Sequence, residues 1–180
     1  MSLLTTPSQT IGPYLRIGLE PLSSETMAAP GVRGERVTVS GVVYDGDGVP
    51  VTDCAIEIWQ ADAEGRYPGP EARAPAFRGF GRALTGADGG FRIHTIKPGR
   101  VQAGGVAQAP HLAITLFMRG SLRHLFTRMY FPDDPANAND PVLSRVPADR
   151  RRTLIATRGS GGLQWPIHIQ GPDETVFFDF

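Results

Sequence analysis

Four histidines, His94, His111, His124 and His168, bound the metal or acid–base chemistry open to this 180-residue chain. His111 has the most suggestive setting. It follows Ala109-Pro110 and opens a run in which Leu112, Ile114 and Leu116 alternate with less apolar neighbours. Residues two apart on a strand face the same way, so a second histidine at position 113 would complete a chelating pair. Position 113 is alanine, and a lone imidazole anchors no metal. His94 falls on the polar side of its segment and reads as a surface residue; His124 and His168 read as hydrogen-bonded sheet residues. There is no HExxH, no glycine-rich phosphate loop and no GxSxG, and the carboxylates are scattered. Asp45-Gly46-Asp47-Gly48 has the look of a calcium loop, but Ile56 stands where such a loop needs a bidentate Glu, so the string reads as a turn. Cys54 is the only cysteine, which excludes an internal disulfide and a thiolate cluster. Spacing alone assembles no complete active site.

The elements that must position any site are strands. Arg36–Tyr44 is rich in Val and Thr, Cys54–Gln60 places Ile56 and Ile58 on one face, and Phe91, Ile93 and Thr95 alternate with Arg92 and His94. The segments 111–116, 122–131, 153–157, 164–170 and 175–180 complete the set. About eight short strands at this spacing predict an all-β chain folded as a β-sandwich with long loops. The only helical expectation is one turn over 148–153, after Pro147. Residues 1–34, with Pro7, Pro13, Pro21 and Pro30, predict an extended arm that must lie against something, another chain included, and residues 35–180 the sandwich domain. Residues 132–150 form a long Pro/Asn/Asp loop of the kind that carries function or an interface. Eighteen Lys+Arg balance eighteen Asp+Glu, so the formal charge is zero and argues against a nucleic-acid or anionic-membrane partner. Arg150, Arg151 and Arg152 read as a solvated face. No window approaches 18 apolar residues, and the first residues lack the charge and apolar run of a signal peptide; the expectation is a soluble cytoplasmic protein. Cys54, on an apolar strand, is expected in the core.

The stretch Glu57-Ile58-Trp59-Gln60-Ala61-Asp62-Ala63-Glu64-Gly65-Arg66-Tyr67 resembles the core signature of the intradiol ring-cleavage dioxygenases. So do Thr95-Ile96-Lys97-Pro98-Gly99 and Pro110-His111 leading into a strand. TPSQTIGPY at 6–14, TRMYF at 127–131 and GPDETVFFDF at 171–180 extend the likeness nearly end to end. The resemblance implies a β-sandwich whose loops carry the site, in agreement with the strand pattern. In catalytic members a ferric ion is held by two tyrosines and a His-x-His pair. Tyr67 matches the first tyrosine and His111 the first histidine, but Val101 stands at the second tyrosine and Ala113 at the second histidine. Ferric iron favours anionic oxygen and imidazole donors, and a phenol becomes a phenolate near neutral pH only beside a strong positive charge. The expectation is therefore a chain with no catalytic residue and no metal of its own, in which Tyr67, Val101, His111 and Ala113 are remnants.

The resemblance further implies a partner, a homologous chain that holds the Fe(III), with a cleft between the two and a larger oligomer of such pairs. Thr10, Gly12, Pro13, Tyr14 and Arg128 are the residues it places on the substrate side of that cleft. Gly12-Pro13 gives a rigid bend whose backbone can approach a ligand, and Arg128 suits a carboxylate, or else an interface salt bridge. The implied substrates are O2 and an aromatic diol bearing a carboxylate. Two alternatives compete. A self-sufficient dioxygenase would need Gln102 or Thr115, both poor donors, to replace Val101 and Ala113. A non-enzymatic β-sandwich binding module would leave the Glu57–Tyr67 and Gly12–Tyr14 segments unexplained.

Overall fold

The computed structural model describes residues 4–69 and 77–179. Eleven strands follow in chain order: β1 Arg36–Tyr44, β2 Ala55–Trp59, β3 Phe80–Leu84, β4 Gly90–Ile96, β5 Val101–Ala103, β6 Val106–Gln108, β7 His111–Phe117, β8 Leu125–Tyr130, β9 Thr157–Gly159, β10 Gly162–Gln164 and β11 Ile167–His168. They form the expected β-sandwich. One sheet is antiparallel in the order β3-β2-β7-β8. In the other, β1 pairs antiparallel with β4 and parallel with β10 and then β11. β10 and β11 were expected as one strand over 164–170. Pro166, which has no N–H to donate, falls between them. Strand β1 is met so closely there that a Cβ on Gly41 would sit 2.0 Å from the Trp165 carbonyl oxygen.

The alternation read from the sequence is the alternation of burial. Val39, Val43, Ile93, Leu163, Trp165 and Ile167 from one sheet meet Ile56, Ile58, Leu112, Ile114, Leu116 and Met129 from the other. Cys54 lies in this core, where burial, and secondarily the Asp53 charge, pushes its thiol up to about 12. The two sheets are also tied by a polar clasp. Buried Gln60, one residue past β2, donates to the carbonyl of Ile96 at the end of β4 (3.0 Å) and accepts from the Thr95 hydroxyl (2.7 Å). Each polar atom of the amide finds a partner, as burial demands.

Three expectations are corrected. The arm is not wholly extended: Tyr14–Leu19 forms a short helix, α1, entered through Pro13, whose fixed φ suits a helical start. It then lies against its own sandwich, through bridges Ser24 to Arg82, Thr26 to His94 and Ala28 to Phe77, with Met27 and Ala28 buried in the core. The strand expected at 153–157 is instead the end of a 3-10 turn, Arg151–Leu154, in line with the helical turn expected after Pro147. Residues 175–179 form no strand, and meet β8 at an isolated bridge, Phe178 to Phe126, and at the Thr127 hydroxyl, which donates to the Val176 carbonyl; Phe180 lies outside the described residues. Strands β3, β5 and β6 were unforeseen. Phe80-Gly-Arg-Ala-Leu84 lacks β-branched residues, and the three-residue strands β5 and β6 owe their pairing to the Gly104-Gly105 turn, both with positive φ.

The 132–150 loop is folded rather than open. Its 3-10 turns, Pro135–Asn139 and Leu143–Arg145, cover a second small core of Ala109, Tyr130, Leu143, Val146 and Leu154. Among the described residues no helix is long and apolar enough to cross a membrane.

Candidate functional site and its remnant ligand set

The candidate site lies on the outer face of the four-stranded sheet, at the end where β7 begins. Register builds it. Trp59, Ala113 and Arg128 stand side by side on β2, β7 and β8, and His111 faces Tyr130 one step further along. Residues directly opposed on neighbouring strands share a face, so these side chains form one patch. Tyr67 reaches it from the loop after β2. That loop is wound tightly: the Asp62 carboxylate accepts the amides of Glu64 and Arg66, both at 2.9 Å, and Gly65 turns with φ +80°. The turn folds Tyr67 back so that its ring lies parallel to Trp59, centroids 5.8 Å apart and planes 8° apart.

His111 is 3% exposed. Its Nδ1 lies 2.8 Å from the Ala109 carbonyl, which can only accept, so Nδ1 carries the proton. Burial, helped by the nearby Arg128 charge, lowers its pKa from 6.5 to about 4, against opposing pulls from the Ala109 bond and Asp140. The imidazole is therefore neutral at pH 7. Because its folded pKa lies below its ordinary value, the stability linked to this group is complete above about pH 6.5 and is lost as pH falls toward 4. We expect His111→Gln to flatten the acid limb. Its unfolding free energy, measured in urea at pH 7 and pH 4.5, should fall less than that of the wild type, by a difference of up to about 3 kcal/mol.

The neighbouring groups complete a network that sequence reading missed. Arg128 donates to Gln108 Oε1 (3.0 Å) and is hydrogen-bonded to Tyr130. The Tyr130 hydroxyl donates in turn to Asp140 Oδ1 (2.9 Å), and Asp140 also accepts the amides of Ala109, Val142 and Leu143. Asp140-Pro141 in the long loop was the available signal, and nothing in the sequence tied it to β7. Tyr67 does not acquire phenolate character: burial raises its pKa, and Arg128 offsets only part of that rise.

A ferric ion fits this donor set badly. Val101 and Ala113 carry no lone pair, Tyr67 holds its proton, His111 supplies one nitrogen, and the local charge is the positive guanidinium of Arg128. Among the described residues no three His, Cys, Asp or Glu side chains converge. The other expected residues lie elsewhere. Thr10 accepts a hydrogen bond from the Gly120 amide (2.8 Å), past the far end of β7, and Arg16 of α1 reaches the carbonyls of Thr52 and Thr85. From Ala113 to Phe117 alone is about 13 Å along the strand. Within one chain, Thr10, Gly12, Pro13 and Tyr14 therefore cluster at one end of the sheet, while Arg128 joins Tyr67 and His111 at the other.

A β-sandwich with this remnant patch matches a known class. A family model described as Dioxygenase matches residues 22–162, and the chain belongs to that family, the intradiol ring-cleavage dioxygenases, whose cofactor is non-haem iron. It is similar to the protocatechuate 3,4-dioxygenase alpha chain of Burkholderia cepacia, 45% identical over 99% of this chain and 98% of that protein. It is also similar to the beta chain of that enzyme from the same organism, 37% identical over 79% of this chain and 67% of that one. Among solved structures, hydroxyquinol 1,2-dioxygenase from Pseudomonas putida DLL-E4 shares the fold, with a TM-score of 0.66 and 20% identity, over 93% of this chain and 63% of that one.

Proposed function

We propose that this chain is the non-iron-bearing, alpha-type subunit of a hetero-oligomeric protocatechuate 3,4-dioxygenase. In this reading a homologous beta-type chain holds the Fe(III), which when bound activates the diol toward O2. The ring of protocatechuate opens between its two hydroxylated carbons, and both oxygen atoms are retained in 3-carboxy-cis,cis-muconate. The observation that carries the reading is the ligand set, which retains Tyr67 and His111 but has Val101, Ala113 and a guanidinium where a metal site needs donors. The end-to-end likeness to an alpha chain supports it.

The part this chain plays is structural and electrostatic. The arm is pinned at Thr10, by Gly120, and at Arg16, by Thr52 and Thr85. Between the pins Gly12 has open space around it and Tyr14 is 82% exposed. A segment anchored at both ends and bare in the middle suits a cleft wall against a partner, and we assign Gly12, Pro13 and Tyr14 that role, with Thr10 as the anchor.

The test is co-production. The chain made alone should be colourless and iron-free. Made with an iron-bearing homologous chain, it should give a complex with the visible colour of tyrosinate bound to iron and with ring-cleaving activity. In that complex Tyr14→Ala should raise KM for protocatechuate about tenfold, the equivalent of 1.4 kcal/mol, without loss of iron. Stoichiometric iron in the chain alone, or no complex at all, would overturn the reading.

A further inference from the structure

Two stretches of the arm are held in different ways. Its root, residues 24–28, is built into the sandwich. Ser24 and Arg82 exchange backbone hydrogen bonds at 2.8 and 3.1 Å, Met27 donates to the His94 carbonyl at 2.9 Å, and His94 donates to the Glu25 carbonyl at 2.7 Å. Met27 and Ala28 are buried there. The stretch before the root, residues 4–23, has no buried residue. The two meet at Ser23, where the 3-10 turn Glu20–Leu22 gives way to extended backbone with φ −64° and ψ 140°.

One side chain holds α1 down. The helix has six residues, and a helix that short does not persist in water unless an apolar face is packed. Here that face is bare, with Tyr14 82% and Ile17 62% exposed. Among the described residues, Arg16 alone in α1 hydrogen-bonds to the sandwich. Its Nη1 donates to the carbonyls of Thr52 and Thr85, the second at 3.0 Å. Thr52 lies just before β2 and Thr85 just after β3, which are neighbours in the sheet, so the guanidinium straddles two strand ends. Among the described residues no carboxylate pairs with it. Ahead of α1 the arm does not fill the space beneath it. A cavity of about 440 Å³ lies between Ser8, Gln9 and Ile11 and the side chains of Phe117, Met118 and Leu122. Packed protein interiors leave few voids of that size, so this stretch rests on the sandwich without interlocking with it. Thr10 adds one exposed hydrogen bond, from the Gly120 amide.

We propose that residues 8–22 form a hinged strap that pivots at Ser23, is latched by Arg16 onto the Thr52 and Thr85 carbonyls, and lifts off the sandwich when that latch releases. The two states are a docked helix and an undocked, unwound segment, with the sandwich the same in both. Because α1 is too short to persist once off, undocking and unwinding are one step. Gly12, Pro13 and Tyr14 move with it. That the strap thereby opens and shuts a substrate cleft rests on the subunit reading. The motion itself does not, because latch, pivot and cavity all belong to this chain.

Amide hydrogen exchange of the full chain, made alone and followed by mass spectrometry, tests it. In α1 the Ile17 amide donates to the Pro13 carbonyl and the Glu20 amide to the Arg16 carbonyl. Exchange over 15–20 therefore reads the docked fraction, and exchange in β1 and β7 reads global unfolding. We expect wild-type α1 to exchange at least about tenfold more slowly than an unstructured peptide and at least about a hundredfold faster than β1 and β7. Arg16→Met should speed exchange in α1 by about tenfold and leave β1 and β7 unchanged. Arg16→Lys, with a single ammonium in place of the fork, should fall between. Chymotryptic cleavage after Tyr14 gives a second readout, and should quicken in Arg16→Met by a similar factor with the Tm of the sandwich unmoved. Equal α1 exchange in wild type and Arg16→Met, wild-type α1 as slow as β7, wild-type α1 without protection, or loss of protection in β1 and β7 together with α1 would each overturn the proposal. The subunit reading is scored on the colour and activity of a complex, so the two can fail separately.

Discussion

Replacing Asp140 with alanine is expected to cost the fold about 4 kcal/mol, enough to unfold a marginal domain. The carboxylate is fully buried and accepts from the amides of Ala109, Val142 and Leu143 at 2.7 to 3.0 Å and from the Tyr130 hydroxyl at 2.9 Å. Hydrogen bonds to a charged group contribute about 1.5–3 kcal/mol each, and a buried donor left without a partner costs about 1–3 kcal/mol. The four are not additive, because the loop can relax and water can enter, but the loss far exceeds that of a surface carboxylate. Asparagine keeps one oxygen and should cost less. Urea unfolding at neutral pH gives the comparison, and Asp47→Ala, in the exposed β1–β2 turn, is the reference change within about 0.5 kcal/mol. Asp140 fastens the 132–150 loop to Ala109, two residues before β7, and to Tyr130 on β8, which is in turn hydrogen-bonded to Arg128.

The sandwich was legible because burial in a two-layer sheet imposes a period of two, and β4 obeys it from Gly90 to Thr95 and β7 from Leu112 to Phe117. Illegible strands were those held by something other than their own pattern. Strand β3 is small and glycine-containing because it packs closely against the arm: a Cβ on Gly81 would lie 2.5 Å from Met27. The 175–179 segment has strand-forming residues but is occupied by single long-range bonds, such as Thr127 Oγ1 to the Val176 carbonyl and the Thr175 hydroxyl, which accepts from the His168 amide. The broken His-x-His pair was visible as spacing. Arg128 beside it was not, because the proximity comes from the β7–β8 register, which no local pattern encodes. Likewise the resemblance placed Thr10 on the substrate side of a cleft, and no local pattern showed that its hydroxyl oxygen accepts from the Gly120 amide, 110 residues away. Side-chain chemistry can be read from a sequence; which two chemistries meet depends on pairing over long separations.

Gly65→Ala is expected to be the most damaging single-methyl change near the site. Two constraints act at once. The backbone there has φ +80°, a region in which an L side chain crowds its own carbonyl at a cost of about 1–2 kcal/mol. The added Cβ would also stand 1.9 Å from the Arg100 carbonyl oxygen, a backbone atom that cannot rotate away. The opposing turn is equally tight: Gly99 donates to the Asp62 carbonyl at 2.8 Å, and a Cβ on Gly99 would lie 2.6 Å from the Gly65 nitrogen. Two turns locked face to face move only together, so the methyl must push the 97–100 turn and the 62–66 loop apart. We expect a loss of at least about 3 kcal/mol in urea unfolding, whereas Gly18→Ala, in α1 with open space around it, should be neutral or slightly stabilising. The consequence at the site is separable from the loss of stability. Tyr67 is two residues on and owes its place over Trp59 to this turn, so folded Gly65→Ala should lose the near-UV circular dichroism contributed by the ring pair at temperatures well below its Tm. An intact signal would show that Tyr67 finds Trp59 without the turn. The tight winding of the Asp62–Tyr67 segment would then serve the contact between the loops and not the placement of the ring.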